Sequence, residues 1–244
     1  MKVHVFKDAE RIGEAVAARF AATIKENPSC VLGMATGSTP LPTYEALVGL
    51  CRKGVLDFSG VRSFNLDEYV GISREHEQSY YRFMFDNLFS KVNISPNNVH
   101  VPYLASDDPQ IDCKAYDAAI DEAGGIDIQI LGIGNNGHIA FNEPGNVFIY
   151  GTHIVELTDS TVEANKRFFE SAKDVPRKAI TMGIGSIMKA KEIVLIATGA
   201  AKAEAVKAMI GGDIDPGCPA SVLQLHPAVM VYLDEAAAGL LCSA

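Results

Sequence analysis

The sequence CVLGMATGSTP, residues 30 to 40, decides the fold of this chain. Its first part, Cys30 to Met34, is an apolar run typical of a strand. The small and polar stretch Thr36 to Pro40 then leads into a helix around Pro42 to Leu50, where an early proline is tolerated because the first N–H groups of a helix have no intrahelical partner. Strand, loop and helix follow one another in the order of a βα unit.

The same alternation continues through the rest of the chain. An amphipathic helix, with apolar residues at helical spacing from Ile12 to Ile24, precedes the unit. Further strands are expected at Val61 to Leu66, Asp127 to Leu131, Thr152 to Leu157, around Ile180, Ile193 to Ala197 and Val229 to Leu233. Further helices are expected at Tyr80 to Leu88, Gln110 to Ala123, Ser160 to Phe169, a segment ending at Lys189, and Ala201 to Ile210. This pattern predicts an α/β fold, a Rossmann-like, open, mainly parallel sheet with helices on both faces, in which residues 1–244 form a single domain.

The composition excludes several classes of partner. A formal net charge of -9 at pH 7 argues against nucleic acid, because binding to the phosphate backbone requires a basic surface. The chain has neither an apolar signal-peptide core after Met1 nor a run of about 20 apolar residues, so secretion and membrane insertion are not expected. The five cysteines are scattered without a CxxC pair, which is typical of reduced thiols. We therefore expect a cytoplasmic protein.

The loop that contains Gly37, Ser38 and Thr39 is a candidate anion site. It lies where a helix begins, so its backbone N–H groups and hydroxyls can face an anion at the positive end of the helix dipole. The alternative is an ordinary capped turn, since Ser and Thr are common helix caps. The loop is not a Walker motif, because no Gly-Lys-Ser/Thr follows it.

A second glycine-rich segment, Gly132 to Gly137, matches the dinucleotide fingerprint GxGxxG. That fingerprint requires its third glycine to open a helix, whereas Pro144 and Gly145 interrupt the chain within two turns. We therefore expect a turn here and no nucleotide cofactor.

His138 follows this turn, and Glu143 lies five residues later on the same short segment. A carboxylate near an imidazole can set its tautomer and increase its basicity, which suits a proton donor or acceptor near neutral pH. The alternative is a histidine that only hydrogen-bonds a loop. A metal site is not expected, because no second His or Cys stands at ligand spacing.

Asp67 and Glu68 are adjacent acids at the end of an apolar strand, where one carboxylate can point into a crevice and the other away from it. Burial of Asp67 would raise its pKa and make it a better base. The alternative is a solvated acidic loop. Arg167 and Lys202 are candidate cationic partners for a phosphate, although each by itself is also typical of a surface charge.

Four segments together resemble the glucosamine-6-phosphate deaminase family. They are Thr36 to Pro40, Phe64 to Gly71, Gly132 to Gly145 and Ala164 to Phe169. The resemblance runs from the first helix to about His226, and His138 to Pro144 is its most specific part.

The resemblance implies conversion of glucosamine 6-phosphate into fructose 6-phosphate and ammonia, without a cofactor. It implies that His138 assists opening of the sugar ring, that Glu143 orients the imidazole and that Asp67 moves a proton from C2 to C1. The phosphate of this amino-sugar phosphate would be held by residues of three segments: Gly37, Ser38, Thr39, Arg167 and Lys202.

Two departures from the family pattern lead to further expectations. Asn136 stands where better-known members carry Asp, and an amide there can hydrogen-bond the imidazole but adds no negative charge. The segment Asn146 to Gly151 differs from a region that helps bind an activator in the allosteric hexamers. With the short tail ending at Ala244, this favours an unregulated enzyme and a monomer, with a homo-oligomer as the alternative.

Two other functions are weighed against this one. A 6-phosphogluconolactonase-like hydrolase would share the phosphate loop and the Gly-His turn, but the continuation Phe141 to Pro144 and the sequence Asp67 to Tyr69 favour the deaminase. A sugar-phosphate-sensing domain of a transcription regulator would need only the anion site. It would not need His138, and it normally carries a DNA-binding segment, for which no room remains before the first helix.

Overall fold

The computed structural model describes residues 1–157 and 175–241, which form an α/β structure around two sheets. Its strands are β1 (Lys2–Phe6), β2 (Val31–Met34), β3 (Arg62–Asn65), β4 (Asp67–Tyr69), β5 (Val99–His100), β6 (Ile128–Leu131), β7 (His153–Glu156), β8 (Lys178–Thr181), β9 (Glu192–Ala197) and β10 (Val229–Asp234). Its helices are α1 (Ala9–Glu26), α2 (Leu41–Arg52), α3 (Tyr80–Asn87), α4 (Pro109–Glu122), α5 (Ile184–Met188) and α6 (Ala203–Gly211). Short 3-10 turns lie at Phe89–Lys91, Pro96–Asn98, Ala200–Lys202 and Pro219–Leu225.

The central sheet has seven parallel strands in the order β1-β10-β9-β6-β2-β3-β5. Every residue of β2 and of β6 is buried, so both faces are covered at the centre of the sheet, as is usual for parallel sheets. The predicted α/β class with a mainly parallel sheet is confirmed. The helix predicted at Ser160 to Phe169 lies outside the described residues.

A second, antiparallel sheet contains β4, β8 and β7. The sequence interpretation treated Asp67 to Tyr69 as a connection, but these residues form β4 and pair with β8. The pattern concealed this strand because two of its three residues are carboxylic acids, which are rarely buried. β1 and β5 were also missed, since four of the five residues of β1 are exposed and β5 has only two residues.

Helix α1 places α2 by close packing. Asp8 caps α1 by accepting a hydrogen bond from the N–H of Arg11 at 2.9 Å, and the helix buries an apolar stripe that includes Phe20. A Cβ added to Gly13 would lie 2.5 Å from the Cβ of Pro42, in the first turn of α2. The start of α2, and the loop before it, are therefore held against α1. In the described residues, no helix combines the length and the apolar character needed to cross a membrane.

Candidate active site

A cavity of about 600 Å³ opens beyond the carboxyl ends of β2, β3, β6 and β9. This is the edge of a parallel sheet where ligands of such folds bind. Seven of the nine sequence-predicted site residues line it: Gly37, Ser38, Thr39, Asp67, Asn136, His138 and Lys202. Glu143 lies beside His138, and Arg167 lies outside the described residues. The fold thus brings together side chains from four separate segments of the chain.

The loop between β2 and α2 forms one wall of the cavity. Gly37 has a φ of 90°, in the left-handed region that favours glycine, and this lets the loop turn back toward α2. The buried Tyr44 of α2 holds the base of the loop, because its hydroxyl donates to the Ala35 carbonyl at 2.5 Å and accepts from the Ala35 N–H at 3.2 Å. Backbone N–H groups at the start of a helix remain available to an anion here.

Lys202 lies in the 3-10 turn that follows β9 and reaches the same cavity. It is half-buried, and desolvation lowers the pKa of its ammonium group. Within residues 1–157 and 175–241, no carboxylate forms an ion pair with it. Asp234 stabilises this turn, because its carboxylate accepts hydrogen bonds from the N–H of Gly199 at 2.8 Å and from that of Ala237 at 2.7 Å. A desolvated cation therefore faces the loop at the start of α2, which suits a ligand with a negative charge.

Asp67 is 7% exposed, at the point where β3 leads into β4. Burial raises the pKa of its carboxyl group to about 8, and the charge of the adjacent Glu68 contributes in the same direction. A carboxyl group with a pKa near neutrality is a strong enough base to remove a proton from carbon and can also return it. Sequence analysis required burial for this role, and the structure places Asp67 in that environment.

Glu68 points away from the cavity, toward the start of α3. Its carboxylate accepts hydrogen bonds from the N–H groups of Tyr69, Tyr80 and Tyr81, each at 2.9 Å. Burial raises its pKa, while these three hydrogen bonds and the charge of Arg74 act against that effect. Alternation along β4 thus separates two adjacent acids that the sequence alone could not distinguish.

The glycine turn places His138 against the backbone. A Cβ added to Gly134 would lie 2.4 Å from the imidazole, so only glycine allows the ring to occupy this position. The Gly134 N–H donates to the His138 carbonyl at 2.9 Å, and the Gly137 N–H donates to the Gly134 carbonyl at 3.0 Å. Gly137 has a φ of 86°. The GxGxxG match is therefore a tight turn that presents an imidazole, and the predicted turn is confirmed.

Glu143 and Asn136 support this imidazole from one side. Glu143 Oε2 is 3.4 Å from His138 Nδ1, and the side chains of His138 and Glu143 are 26% and 10% exposed. Asn136 Nδ2 donates to the same Glu143 oxygen at 2.7 Å, and its Oδ1 accepts the N–H of His138 at 3.2 Å. The sequence interpretation allowed Asn136 to bond the imidazole, but its amide bonds the carboxylate, which is the stronger acceptor. Asn136 thus acts on the ring through Glu143.

The end of β8 connects the two halves of the site. Asp67 pairs with Thr181, and the Met182 N–H donates to the Leu66 carbonyl at 2.7 Å. The same strand end also bonds to the histidine turn: Thr181 Oγ1 accepts the N–H of Phe141 at 3.1 Å, and the Met182 carbonyl accepts from the side chain of Asn142 at 2.8 Å. One strand end therefore sets the spacing between the carboxylate and the histidine turn.

Sequence analysis missed an aromatic wall of the cavity. Tyr69, Tyr80 and Phe141 line it, with ring centroids 4.8 Å apart for Tyr69 and Tyr80 and 6.2 Å apart for Tyr80 and Phe141. Tyr80 was placed in a helix of aromatic and apolar residues, which gave no sign of a cavity. Tyr69 and Phe141 could have been found, since each stands within three residues of a predicted catalytic group. These rings provide a dry, flat surface beside Asp67.

The arrangement has an anion-binding end and a proton-transfer end. The loop before α2 and Lys202 form the first, while Asp67 and His138 form the second. A small phosphorylated molecule held at the first end would have its carbon atoms near the second, which lowers the entropic cost of proton transfer.

Comparison with known proteins identifies relatives over nearly the whole chain. Residues 7–231 match the model of the family described as glucosamine-6-phosphate isomerases/6-phosphogluconolactonase. A protein of Clostridium perfringens named glucosamine-6-phosphate deaminase is 53% identical over 241 residues, which cover 99% of this chain and 100% of the relative.

Solved structures agree with this result. A monomeric glucosamine-6-phosphate deaminase superimposes with a TM-score of 0.95 at 43% identity, and the match covers 98% of this chain and 100% of the other. A 6-phosphogluconolactonase from Trypanosoma cruzi superimposes with a TM-score of 0.78 at 17% identity, and the match covers 99% of this chain and 97% of the other. The second likeness concerns the fold alone.

Proposed function

Because this chain belongs to the family of glucosamine-6-phosphate isomerases and 6-phosphogluconolactonases, we propose that it is a glucosamine-6-phosphate deaminase. It converts glucosamine 6-phosphate and water into fructose 6-phosphate and ammonia. The observation that carries the proposal is the single cavity in which Asp67 and His138 lie together with an anion loop and Lys202. The resemblance to proteins with this name over the full length supports the choice of reaction.

Ring opening is the first step, and His138 serves it. The imidazole gives a proton to the ring oxygen while the hydroxyl on C1 loses one, so that the cyclic sugar becomes an open-chain 2-amino aldehyde. Glu143, with Oε2 3.4 Å from Nδ1, orients the ring, and Asn136 holds Glu143 in place. The tight turn of Gly134 fixes the ring against the backbone, which keeps its orientation.

Proton transfer between two carbons is the second step, and Asp67 serves it. The carboxylate removes the proton from C2, and the C–H electron pair forms the C1=C2 double bond of an enolamine. The π pair of the C1 carbonyl moves to O1, which regains the proton lost in ring opening. Asp67 then returns the proton to C1, which leaves an imine at C2. Water adds to this imine, the carbon–nitrogen bond breaks, and ammonia leaves with the ketone formed. The buried position of Asp67 suits a base that must both remove and return a proton.

The phosphate takes no part in the bond changes and holds the sugar in position. We assign its binding to Gly37, Ser38, Thr39 and Lys202, and also to Arg167, which lies outside the described residues. Backbone N–H groups at the start of α2 and a desolvated ammonium are suited to a phosphate dianion.

We also propose a setting for this activity. The enzyme acts in amino-sugar catabolism in the cytoplasm, and it is an unregulated monomer that requires no cofactor. The four cysteines that the described residues contain are free thiols, which supports a reducing compartment.

The test is an assay of ammonia release from glucosamine 6-phosphate and from galactosamine 6-phosphate, with hydrolysis of 6-phosphogluconolactone measured in parallel. We expect ammonia from the glucosamine substrate and no lactone hydrolysis. Lactone hydrolysis without ammonia release would contradict the proposal.

Replacement of Asp67 by Asn tests the assignment of the base. Asp67→Asn should lower kcat by roughly 10³-fold and leave KM within about threefold, because the lost interaction belongs to the transition state. Asp213→Asn, an exposed carboxylate outside the cavity, serves as the control and should behave as the wild type. Wild-type turnover of Asp67→Asn would disprove the role.

A further inference from the structure

Glu68 lies next to the proposed base and is buried more deeply than the base itself. It is 2% exposed, and its two oxygens accept three backbone N–H groups: Oε1 those of Tyr69 and Tyr80, and Oε2 that of Tyr81. Each distance is 2.9 Å. Within residues 1–157 and 175–241, no other carboxylate accepts hydrogen bonds both from two backbone N–H groups at the start of a helix and from one N–H group on its own strand.

These hydrogen bonds join the two elements that enclose Asp67. Tyr69 lies on β4 with Asp67, while Tyr80 and Tyr81 are the first residues of α3. Helix α3 contributes Tyr80 and Phe83 to the cavity that Asp67 faces. Since side chains alternate along a strand, the hydrogen bonds that hold Glu68 on one face of β4 fix the direction of Asp67 on the other.

Helix α3 already has a cap of its own. Ser79 accepts the N–H of Arg82 at 3.0 Å, as an N-cap residue does. A helix of eight residues does not require a buried carboxylate in addition, because water or a neutral side chain can satisfy its free N–H groups. Burial of a negative charge costs free energy that a simple cap would avoid. The charge of Glu68 therefore calls for a further explanation.

We propose that Glu68 is a positioning residue for the deamination, which holds Asp67 at the cavity wall against α3 and keeps it basic through its negative charge. This inference rests on the proposed function, in which Asp67 is the base. Glu68 itself does not line the cavity and does not touch the substrate.

The electrostatic part involves the ionisable groups that lie near Asp67 within residues 1–157 and 175–241. Glu68 and Tyr69 of β4, Tyr80 of α3 and Tyr116 of α4 interact electrostatically with its carboxylate. The three tyrosines are neutral at the pH of the assay, because burial raises the pKa of each phenol above its usual value. His138, Lys202 and the exposed Glu77 line the same cavity. Among these groups, Glu68 is the buried negative charge, and it raises the pKa of Asp67.

The experiment compares Glu68→Gln with the wild type over the pH range of the assay. The amide keeps the size of the side chain and one acceptor oxygen, but it loses the charge and places N–H against the Tyr81 N–H. We expect the acid limb of the kcat profile to move to lower pH by about one unit, since a like charge has been removed from Asp67. We expect plateau kcat to fall about tenfold and KM to stay within about twofold, because substrate contacts are kept.

Glu68→Asp separates the effect of the negative charge from the effect of side-chain length. It keeps the negative charge but is shorter by one CH₂ group, so it cannot span the three N–H groups. The acid limb should stay at the wild-type pH while plateau kcat falls. Asp108→Asn is the matched control, because Asp108 caps α4 through the Gln110 N–H at 2.9 Å and lies outside the cavity. It should leave both the limb and kcat unchanged.

A purely structural cap predicts a different result. Thermal stability would then fall in Glu68→Gln while the acid limb and kcat stayed at wild-type values, and this outcome overturns the proposal. If Glu68→Gln does not fold, wild-type kcat in Glu68→Asp overturns it equally.

A direct titration separates this inference from the proposed function. The infrared carboxyl band that disappears in Asp67→Asn reports ionisation of Asp67 without turnover. That band should titrate at lower pH in Glu68→Gln than in the wild type. Failure of the wild type to release ammonia refutes the deaminase, whereas an unchanged Asp67 titration in Glu68→Gln refutes the role of Glu68.

Discussion

At the scale of single residues, the site depends on charges that have been removed from water. Asp67 and Glu68 are both buried, although adjacent acids usually occupy a solvated loop. The protein satisfies Glu68 with three backbone N–H groups. In the described residues, it leaves the Asp67 carboxylate without such bonds. This difference holds Glu68 in a fixed position and leaves Asp67 available for chemistry.

The buried state of Asp67 predicts a pH-dependent stability. Its pKa is about 8 in the folded protein, against about 3.9 for an unperturbed carboxyl group. Between these values the folded protein binds more protons than the unfolded chain, so the contribution to stability is present below about pH 4 and is lost as pH rises through 8. Asp67→Asn removes this dependence and should be more stable than the wild type by about 5 kcal/mol at pH 9.

Urea unfolding of both proteins at pH 5, 7 and 9 measures the effect. The stability difference should grow with pH in favour of Asp67→Asn. A constant difference over this range would show that Asp67 is solvated in the folded protein.

Lys202 leads to a prediction on binding. Lys202→Ala removes a desolvated cation from the cavity and should raise KM for the sugar phosphate by about 10- to 100-fold, as expected for a charge-assisted hydrogen bond. Steady-state kinetics measure this, with a smaller effect expected on kcat. Lys207→Ala is the control, because Lys207 is exposed on α6, which directly follows the turn that carries Lys202, and does not line the cavity. Equal KM values for the two variants would place the phosphate elsewhere.

At the scale of elements, the short antiparallel sheet does most to assemble the site. β8 pairs with β4 along one edge and with β7 along the other, and Thr181 and Met182 at its end bond to the histidine turn. The alternation of strands and helices predicted the large sheet correctly, but it missed this connection. The reason is physical: antiparallel pairing between segments more than 100 residues apart leaves no periodic signal in either of them.

Thr181 tests this role of β8. Thr181→Val keeps the shape of the side chain but removes the acceptor of the buried Phe141 N–H, at a cost of about 1–3 kcal/mol. We expect lower stability and a reduced kcat, because the turn that carries His138 loses its support. Thr181→Ser keeps the hydroxyl and should retain more of the activity. Urea unfolding and ammonia release measure the two effects, and wild-type values for Thr181→Val would exclude the role.

At the scale of the whole molecule, the chain carries a net charge of -9 and yet is proposed to bind an anion. Local groups resolve this: the loop at the start of α2 and the half-buried Lys202 lie at the anion-binding end of the cavity, although the acids Asp67 and Glu77 also line it. Direct contacts of an anion with backbone N–H groups and this ammonium outweigh distant charges that water and salt screen.

The oligomeric state is the prediction at this scale. We expect a monomer of about 26.1 kDa in sedimentation velocity at the protein concentrations of the assay, with hyperbolic kinetics. The close structural likeness to a deaminase described as monomeric supports this. A hexamer or a sigmoidal rate curve would contradict it.

The sequence by itself determined the fold class and the candidate residues. Apolar periodicity, glycine turns and the position of polar groups after strands are local properties, so they can be read without coordinates. Only the tertiary structure decided which acid faces the cavity, what Asn136 contacts and which aromatic rings enclose the substrate space. Those facts depend on pairing between segments far apart in the chain, and on the loss of water that pairing causes, which no local pattern records.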